Sequence, residues 1–473
     1  MTAPKFCKSK IIATIGPSSW DNKILKEMIG AGMDLARINA SFADFEELKR
    51  VKESIRSISP RISLILDTMG NKIRTAGFTE SKVVKKGEIL ILIPSTQEIT
   101  KESEIQITYD DLHKDISRGA TILIDDGNLE LTVTDILNNS IICNIENDYT
   151  IKPRKTVNTP NLELNFPCLT QKDIQDIKYT IELQYDFVAL SFVQSEDAVL
   201  KAREILGNSG INIISKIENQ AGIDNFDEIV QASDAIMIAR GDLGVEIPYE
   251  QIPIIQKQLI YRCRAVGKPV IVATQMLESM KENPHPTRAE INDISNSIMD
   301  GTDAVMLSAE TSIGQYPVKS IEIMNRIALT TEDVLTPQII FGNTQASRDT
   351  DEICKSVFNL TNSIDLQAVV VLSQSGRTVN SLSRHRPTVP IFEVSNDISR
   401  VRKDNLVRGV KCYYIKHLAD DRDENVKNAI EIVFSYGELD FTDKIAIISG
   451  SSIKNKDSNT ILEIATVKDL IKN

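Results

Sequence analysis

At 473 residues, with 41% hydrophobic and 25% charged side chains, the chain has the composition of a globular protein of two or three domains. A net charge of −12 argues against nucleic acid as a bulk partner but leaves room for a local basic pocket for phosphates. The six cysteines and four histidines are scattered, with no disulfide, zinc or Ser-His-Asp spacing, and no apolar run approaches the about 18 residues of a membrane span. Reduced thiols, a cytoplasmic location and no signal peptide are the expectation.

Residues 8–17 (KSKIIATIGP) predict a first buried strand that stops at Gly16-Pro17. Helical spacing in Leu25, Met28 and Ile29 ends at Gly32. Residues 35–41 (LARINAS) read as a second strand, with Arg37, Asn39 and Ser41 on one side. A charged helix follows, and then a third strand, 63–69 (SLILDTM), which ends in Asp67 and Thr68 with Lys72 and Arg74 close behind. From about residue 76 to about residue 167 short alternating runs take over, separated by turn residues such as Asp125-Asp126-Gly127-Asn128 and Asn138-Asn139. This is an all-β insert, with Lys152, Arg154 and Lys155 near its exit.

The βα rhythm resumes at 187–193 (FVALSFV), a fourth strand. Residues 211–244 (INIISKIENQAGIDNFDEIVQASDAIMIARGDLG) then supply a fifth strand, a helix and a sixth strand. Lys216 and Glu218 follow the fifth strand; Arg240 and Asp242 follow the sixth. In a parallel βα architecture such ends lie side by side, so two carboxylates, a lysine and an arginine are expected to converge. Carboxylates facing water suit Mg²⁺, and the lysine suits an anion whose charge grows during reaction. A buried structural ion-pair network is the alternative. Residues 269–276 (PVIVATQM) and 304–311 (AVMLSAET) complete eight units, so a (β/α)₈ TIM barrel is expected, with an open doubly wound sheet as the alternative. Beyond residue 335, β-branched runs at 368–372, 389–394, 409–415 and 444–449 alternate with helical stretches, as in a small open α/β domain. The expected division is a discontinuous barrel (1–75 and 168–335), the β insert (76–167) and a C-terminal α/β domain (336–473).

With these residues in view the chain resembles the pyruvate kinase family over nearly its whole length. The segments that carry the resemblance are TIGPSS, AGMDLARINAS, LDTMGNKIRT, IISKIENQAGI, ARGDLGVEI, KPVIVATQMLESM, PTRAEIND and LSAETSIGQYP. The resemblance implies the barrel, a β-barrel lid and a C-terminal regulatory domain. It also implies phosphoryl transfer from phosphoenolpyruvate to ADP, and a homotetramer. By resemblance, Glu218 and Asp242 hold Mg²⁺ or Mn²⁺, and Lys216 stands at the transferring phosphoryl and the developing enolate. Arg37 pairs with the phosphate, Gly241 and Asp242 receive the substrate carboxylate through backbone N–H groups, and Thr274 helps deliver the proton. Asn39, Arg74 and Lys155 face the nucleotide.

Asn39, Ser41, Asp67 and Thr68 match the family's ligands for a monovalent cation, usually K⁺. Lys72 stands where many K⁺-requiring members carry a glutamate, so weak or absent K⁺ dependence is expected. Thr68, Met69 and Thr75 depart from the pattern that accompanies such a lysine. Other departures are Phe42-Ala43 for His-Gly, Thr156 and Ala309 for glycines, and Gln194 for an arginine. SQSGRT (373–378) resembles the loop that holds a sugar-phosphate effector, which makes Ser373, Ser375 and Thr378 candidate contacts; a turn whose hydroxyls cap a helix is the alternative. The loop's partner would lie in 450–460, with Lys454 and Lys456. Two other functions stay open on the residues: a Mg²⁺-dependent barrel lyase acting on phosphoenolpyruvate or pyruvate, and a non-catalytic, effector-binding relative.

Overall fold

Eight parallel strands close into a barrel: β1 (Lys10–Thr14), β2 (Leu35–Asn39), β3 (Ser63–Asp67), β4 (Phe187–Leu190), β5 (Asn212–Ile217), β6 (Ala235–Ala239), β7 (Val270–Ala273) and β8 (Ala304–Leu307). Pairing of β1 with β8, in register Lys10 to Ala304, completes the circle and excludes the open sheet. The computed structural model describes residues 6–160, 162, 164–336, 339–373, 375–450 and 460–471.

The strands are buried on both faces, which is why they read as continuous apolar runs. Their inward side chains, among them Ile12, Leu35, Ile65, Ile214 and Met237, fill the barrel, and Leu406 from the C-terminal region joins them at the floor. Period two carries the same faces upward into polar residues. Leu35 leads to Arg37 and Asn39, Ile65 to Asp67, and Ile214 to Lys216 and Glu218. The packed interior thereby aims the polar cluster at the carboxyl end of the barrel.

The insert forms a second closed barrel, with strands Ile73–Ala76, Ile89–Pro94, Glu104–Ile107, Thr121–Ile124, Leu129–Leu137, Ser140–Ile145 and Thr156–Asn158. A two-stranded ribbon, Lys82–Val84 with Tyr149–Ile151, stands beside it. Asn138 and Asn139, both left-handed at φ 51° and 66°, make the two-residue turn of its longest hairpin. Gly70 lets the chain leave the main barrel: at φ 68° it is left-handed, and a Cβ there would stand 2.7 Å from the Ser191 Cβ.

The C-terminal sheet contains β9 (Ala368–Leu372), β10 (Ile391–Ser395), β11 (Val410–Tyr414), β12 (Lys444–Gly450) and β13 (Thr460–Thr466), in the order β11-β10-β9-β12-β13. β13 runs antiparallel to β12, an edge strand absent from the sequence reading. The sheet is fastened beneath the barrel by Arg386 to Asp303 at 2.8 Å and Arg408 to Glu332 at 3.5 Å. Among the described residues no helix is long and apolar enough to cross a membrane.

Candidate active site

The cluster at the carboxyl end of the barrel is built around Lys216 at the top of β5. Its Nζ lies 3.0 Å from Asp67 Oδ1, 3.0 Å from Glu218 Oε1 and 2.7 Å from Ser191 Oγ. Burial alone would lower the pKa of this lysine, but the carboxylates of Asp67 and Glu218 outweigh it and raise the pKa above the ordinary value. Lys216 is therefore a fixed buried cation. Asp67 receives Arg37 on its other oxygen, Nε to Oδ2 at 2.7 Å, and Arg37 Nη1 donates to Thr14 Oγ1 at 3.0 Å. Burial would raise Asp67, but Arg37 and Lys216 together hold it below the usual carboxylate range.

Glu218 is fully buried. Its Oε2 accepts the Phe192 N–H at 2.7 Å, while Oε1, close to Lys216, has no hydrogen bond of acceptable geometry. Burial raises its pKa first, Lys216 opposes, and the neighbouring Asp242 adds to the rise. A buried carboxylate oxygen that meets only the Lys216 ammonium, beside a second carboxylate, belongs to the donor set a hard divalent cation satisfies. Asp242 lies in the helix Arg240–Glu246 and accepts from Lys72 Nζ at 2.7 Å. Lys72 stacks its ammonium 5.0 Å from the Phe192 ring.

Thr274, just past β7, has the left-handed backbone rare for a β-branched residue, φ 72°. Its hydroxyl accepts the Gly241 N–H at 2.7 Å and donates to the Ala273 carbonyl at 2.6 Å. Arg240, counted from the sequence among the converging charges, turns away instead. Its guanidinium holds Asp293 at 2.7 Å and the Thr274 carbonyl at 2.7 Å. The reason is helical geometry: residues two apart on a helix face opposite sides, so Arg240 and Asp242 cannot share one.

Of the expected cation ligands, Asp67 and Thr68 are buried around Ser191, whose Oγ donates to the Thr68 carbonyl at 2.7 Å. Asn39 and Ser41 share a turn, with the Ser41 N–H on Asn39 Oδ1 at 3.0 Å. Lys72 bonds to Asp242, and no bond joins it to these four. The nucleotide candidates Arg74 and Lys155 are neighbours through the pairing of Arg74 with Thr156. Both are engaged within the insert: Lys155 with Asp125 at 2.8 Å, Arg74 with the Arg154 carbonyl at 3.1 Å. Between insert and barrel lies a cleft of about 600 Å³ lined by Lys72, Asp242, Asn158, Thr156, Gln194 and Glu246. Asn158 Nδ2 donates across the cleft to Glu246 Oε1 at 2.7 Å.

Two descriptions of known proteins match. "Pyruvate kinase, barrel domain" covers residues 6–321, and "Pyruvate kinase, alpha/beta domain" covers 351–464. The chain belongs to the pyruvate kinase family. Curated pyruvate kinases from Bacillus licheniformis and Geobacillus stearothermophilus are 40% and 39% identical to it, over 98% of this chain and 81% of theirs. The pyruvate kinase of Borreliella burgdorferi is 38% identical over 98% of both chains. Its function is accordingly that of a pyruvate kinase, a phosphotransferase. Against the family pattern, Phe42 is 86% exposed beside the cluster and Thr156 bonds with Asp126 at 2.8 Å.

Sequence reasoning missed Ser191, Thr14 and Asn158. Ser191 alone left a signal, a hydroxyl in an apolar run at the carboxyl end of a barrel strand. At the other end of the molecule, Ser373 Oγ accepts the Gly376 N–H at 2.8 Å, Ser375 is exposed, and Thr378 is half-buried in the helix Arg377–Ser383. Lys454 and Lys456 lie outside the described residues.

Proposed function

We propose that this member of the family transfers the phosphoryl group of phosphoenolpyruvate to ADP at the cluster around Lys216. The observation that carries the reading is the buried Lys216 ammonium held by Asp67, Glu218 and Ser191. Phosphoryl transfer asks for positioning and charge neutralisation more than covalent chemistry. Lys216 faces charge that grows on the transferring phosphoryl and on the enolate oxygen, a contact contributing roughly 3 kcal/mol of transition-state stabilisation. Arg37 Nη2, which makes no hydrogen bond among the described residues, is available to the phosphate. The substrate carboxylate takes over the Gly241 N–H from Thr274, which frees that hydroxyl to relay the proton to the enolate through water. Glu218 and Asp242 hold Mg²⁺ or Mn²⁺, which when bound supplies Lewis-acid neutralisation of the substrate oxygens. Arg74 and Lys155 exchange their partners within the insert for nucleotide phosphates, with Asn39 alongside, and the insert acts as the lid.

A monovalent cation at Asn39, Ser41, Asp67 and Thr68 is the family expectation. The Lys72–Asp242 bond supports a resident positive charge on the same rim, and with it weak K⁺ dependence. Ser373, Ser375 and Thr378 form an effector turn. The domain division is 1–75 with 168–335, 76–167 and 336–473, the strand Ile73–Ala76 spanning the first boundary; the assembly is a homotetramer in the cytoplasm.

The test is pyruvate release from phosphoenolpyruvate with Mg²⁺, with and without ADP, in Na⁺ and in K⁺ at matched ionic strength. ADP-dependent release, equal in both salts and reduced about 10²-fold or more in Lys216→Met, is expected. Release without ADP would identify a lyase, and activity only in K⁺ would dismiss the role of Lys72.

A further inference from the structure

Lys216 meets three side chains, and only one of them is neutral. Across β4 and β5, Ala189 pairs with Ile214 and Leu190 with Ser215, so one step further sets Ser191 beside Lys216. On the opposite edge of β4, Ala189 pairs with Asp67. Ala189 and Ile214 face the barrel interior, and period two carries the same face to Ser191 and Lys216. Gly70 leaves room for the serine: a Cβ there would also stand 3.1 Å from the Ser191 carbonyl oxygen.

An ammonium carries three N–H donors. In Lys216 two of them are used with good geometry, on Ser191 Oγ at 2.7 Å and on Asp67 Oδ1 at 3.0 Å. Glu218 Oε1 is as near, at 3.0 Å, but outside hydrogen-bond geometry. Two bonds fix a tetrahedral head, so the third N–H takes its direction from Ser191 and Asp67. The serine oxygen is itself fixed. Its single proton goes to the Thr68 carbonyl at 2.7 Å rather than to Asp67 Oδ1 at 3.3 Å. The Ser191 N–H donates in turn to Thr68 Oγ1 at 3.2 Å. This clasp leaves the lone pairs of Oγ facing Lys216.

The neutrality of the hydroxyl matters. Lys216 and Arg37 already face the carboxylates of Asp67 and Glu218. A third carboxylate at position 191 would make the cluster net negative and repel a phosphate; a hydroxyl orients the ammonium without cancelling its charge. With no oxygen there, both remaining attractions are carboxylates, and the ammonium swings until an N–H lies on Glu218 Oε1. We propose that Ser191 is a positioning residue for the reaction: its hydroxyl holds the Lys216 ammonium off Glu218 and aims the third N–H at the transferring phosphoryl. The proposal rests on the phosphoryl transfer assigned above to the cluster around Lys216.

The test is a double-mutant cycle on ADP-dependent pyruvate release with Mg²⁺, using wild type, Ser191→Ala, Lys216→Met and the double variant. Ser191→Ala should lose roughly 10-fold or more in kcat. KM for phosphoenolpyruvate and for ADP should stay within about 2-fold, as for a contact made only in the transition state. In the Lys216→Met background the same change should cost less than about 2-fold, because a group that acts through Lys216 has nothing left to aim. An unchanged kcat in Ser191→Ala, or equal losses in both backgrounds, would overturn the proposal. The crystal structure of Ser191→Ala gives an answer free of activity. Lys216 Nζ hydrogen-bonded to Glu218 Oε1 supports the positioning role; Nζ unmoved rejects it. Should wild type release no pyruvate, the transfer reading itself falls, and Ser191 is judged on that structure alone.

Discussion

Thr274 shows how one side chain is held where its own backbone preference opposes it. Thr274 at φ 72° and Gln275 at φ 53° are consecutive left-handed residues, each carrying about 1–3 kcal/mol of strain. The strain is offset by Arg240, whose guanidinium grips the Thr274 carbonyl, and by the Gly241 N–H on the hydroxyl. What it achieves is direction: the chain turns at the end of β7 and leaves the hydroxyl beside the opening of the Arg240–Glu246 helix. Two substitutions separate strain from chemistry. Thr274→Gly removes the hydroxyl and the steric conflict of the Cβ; Thr274→Ala removes the hydroxyl and γ-methyl but keeps the Cβ that opposes a positive φ. Both should lose about 10²-fold in kcat. In thermal unfolding, Thr274→Gly should be at least as stable as Thr274→Ala, against the usual order for these residues. A markedly more stable alanine variant would mean that the turn carries no strain.

The strands and helices explain what was legible in the sequence. Alternation in β2 put Arg37, Asn39 and Ser41 on one side, and Asp67, Lys216 and Glu218 were legible as polar residues at the carboxyl ends of apolar strands, where a parallel barrel gathers them. Arg240 was misplaced because its helix begins immediately after β6, so lying at a strand's carboxyl end does not fix which way its side chain points. Ser191 was hidden because a lone serine in a buried strand reads as filler. Asn158 and Glu246 were illegible for another reason: their meeting depends on how the insert docks, which local periodicity does not encode. That 2.7 Å bond spans the cleft, and Glu246 has its pKa raised by burial, with Asn158 opposing the rise. Asn158→Ala leaves the half-buried Glu246 carboxyl with one partner fewer, at a cost of about 1 kcal/mol to the docking of the insert. Amide hydrogen exchange should accelerate in the strands Ile73–Ala76 and Thr156–Asn158 and stay unchanged in β5 and β6, while KM for ADP rises. Acceleration spread evenly over both barrels would point to general destabilisation instead.

The junction of the barrel with the C-terminal sheet is unusually polar for a buried interface, and it makes stability depend on pH. Arg386 pairs with Asp303 at 2.8 Å and Arg408 with Glu332 at 3.5 Å across it, while Arg384, paired with Asp351 on its own side, donates to the Ala265 carbonyl at 2.8 Å. His385 sits among them fully buried, its ring centroid 5.8 Å from that of Phe358. Its Nδ1 accepts the Ile340 N–H at 3.3 Å, so the ring is neutral. Burial first, then Arg384, lowers its pKa to about 4; Asp351 opposes the shift, while Lys355 and Arg264 add to it. In the unfolded chain the same ring titrates at about 6.5. Between these values the unfolded state holds a proton that the folded state refuses. The contribution of His385 is therefore fully present above about pH 6.5 and is lost as pH falls toward 4, by roughly 2 kcal/mol at pH 5. His385→Phe keeps the ring volume and removes the proton site, at the price of the Ile340 hydrogen bond. Denaturant unfolding at pH 7 and pH 5 should show wild type losing about 2 kcal/mol more than His385→Phe over that interval. Parallel losses would mean that the imidazole is already charged in the folded protein, which the Ile340 N–H pointing at Nδ1 argues against.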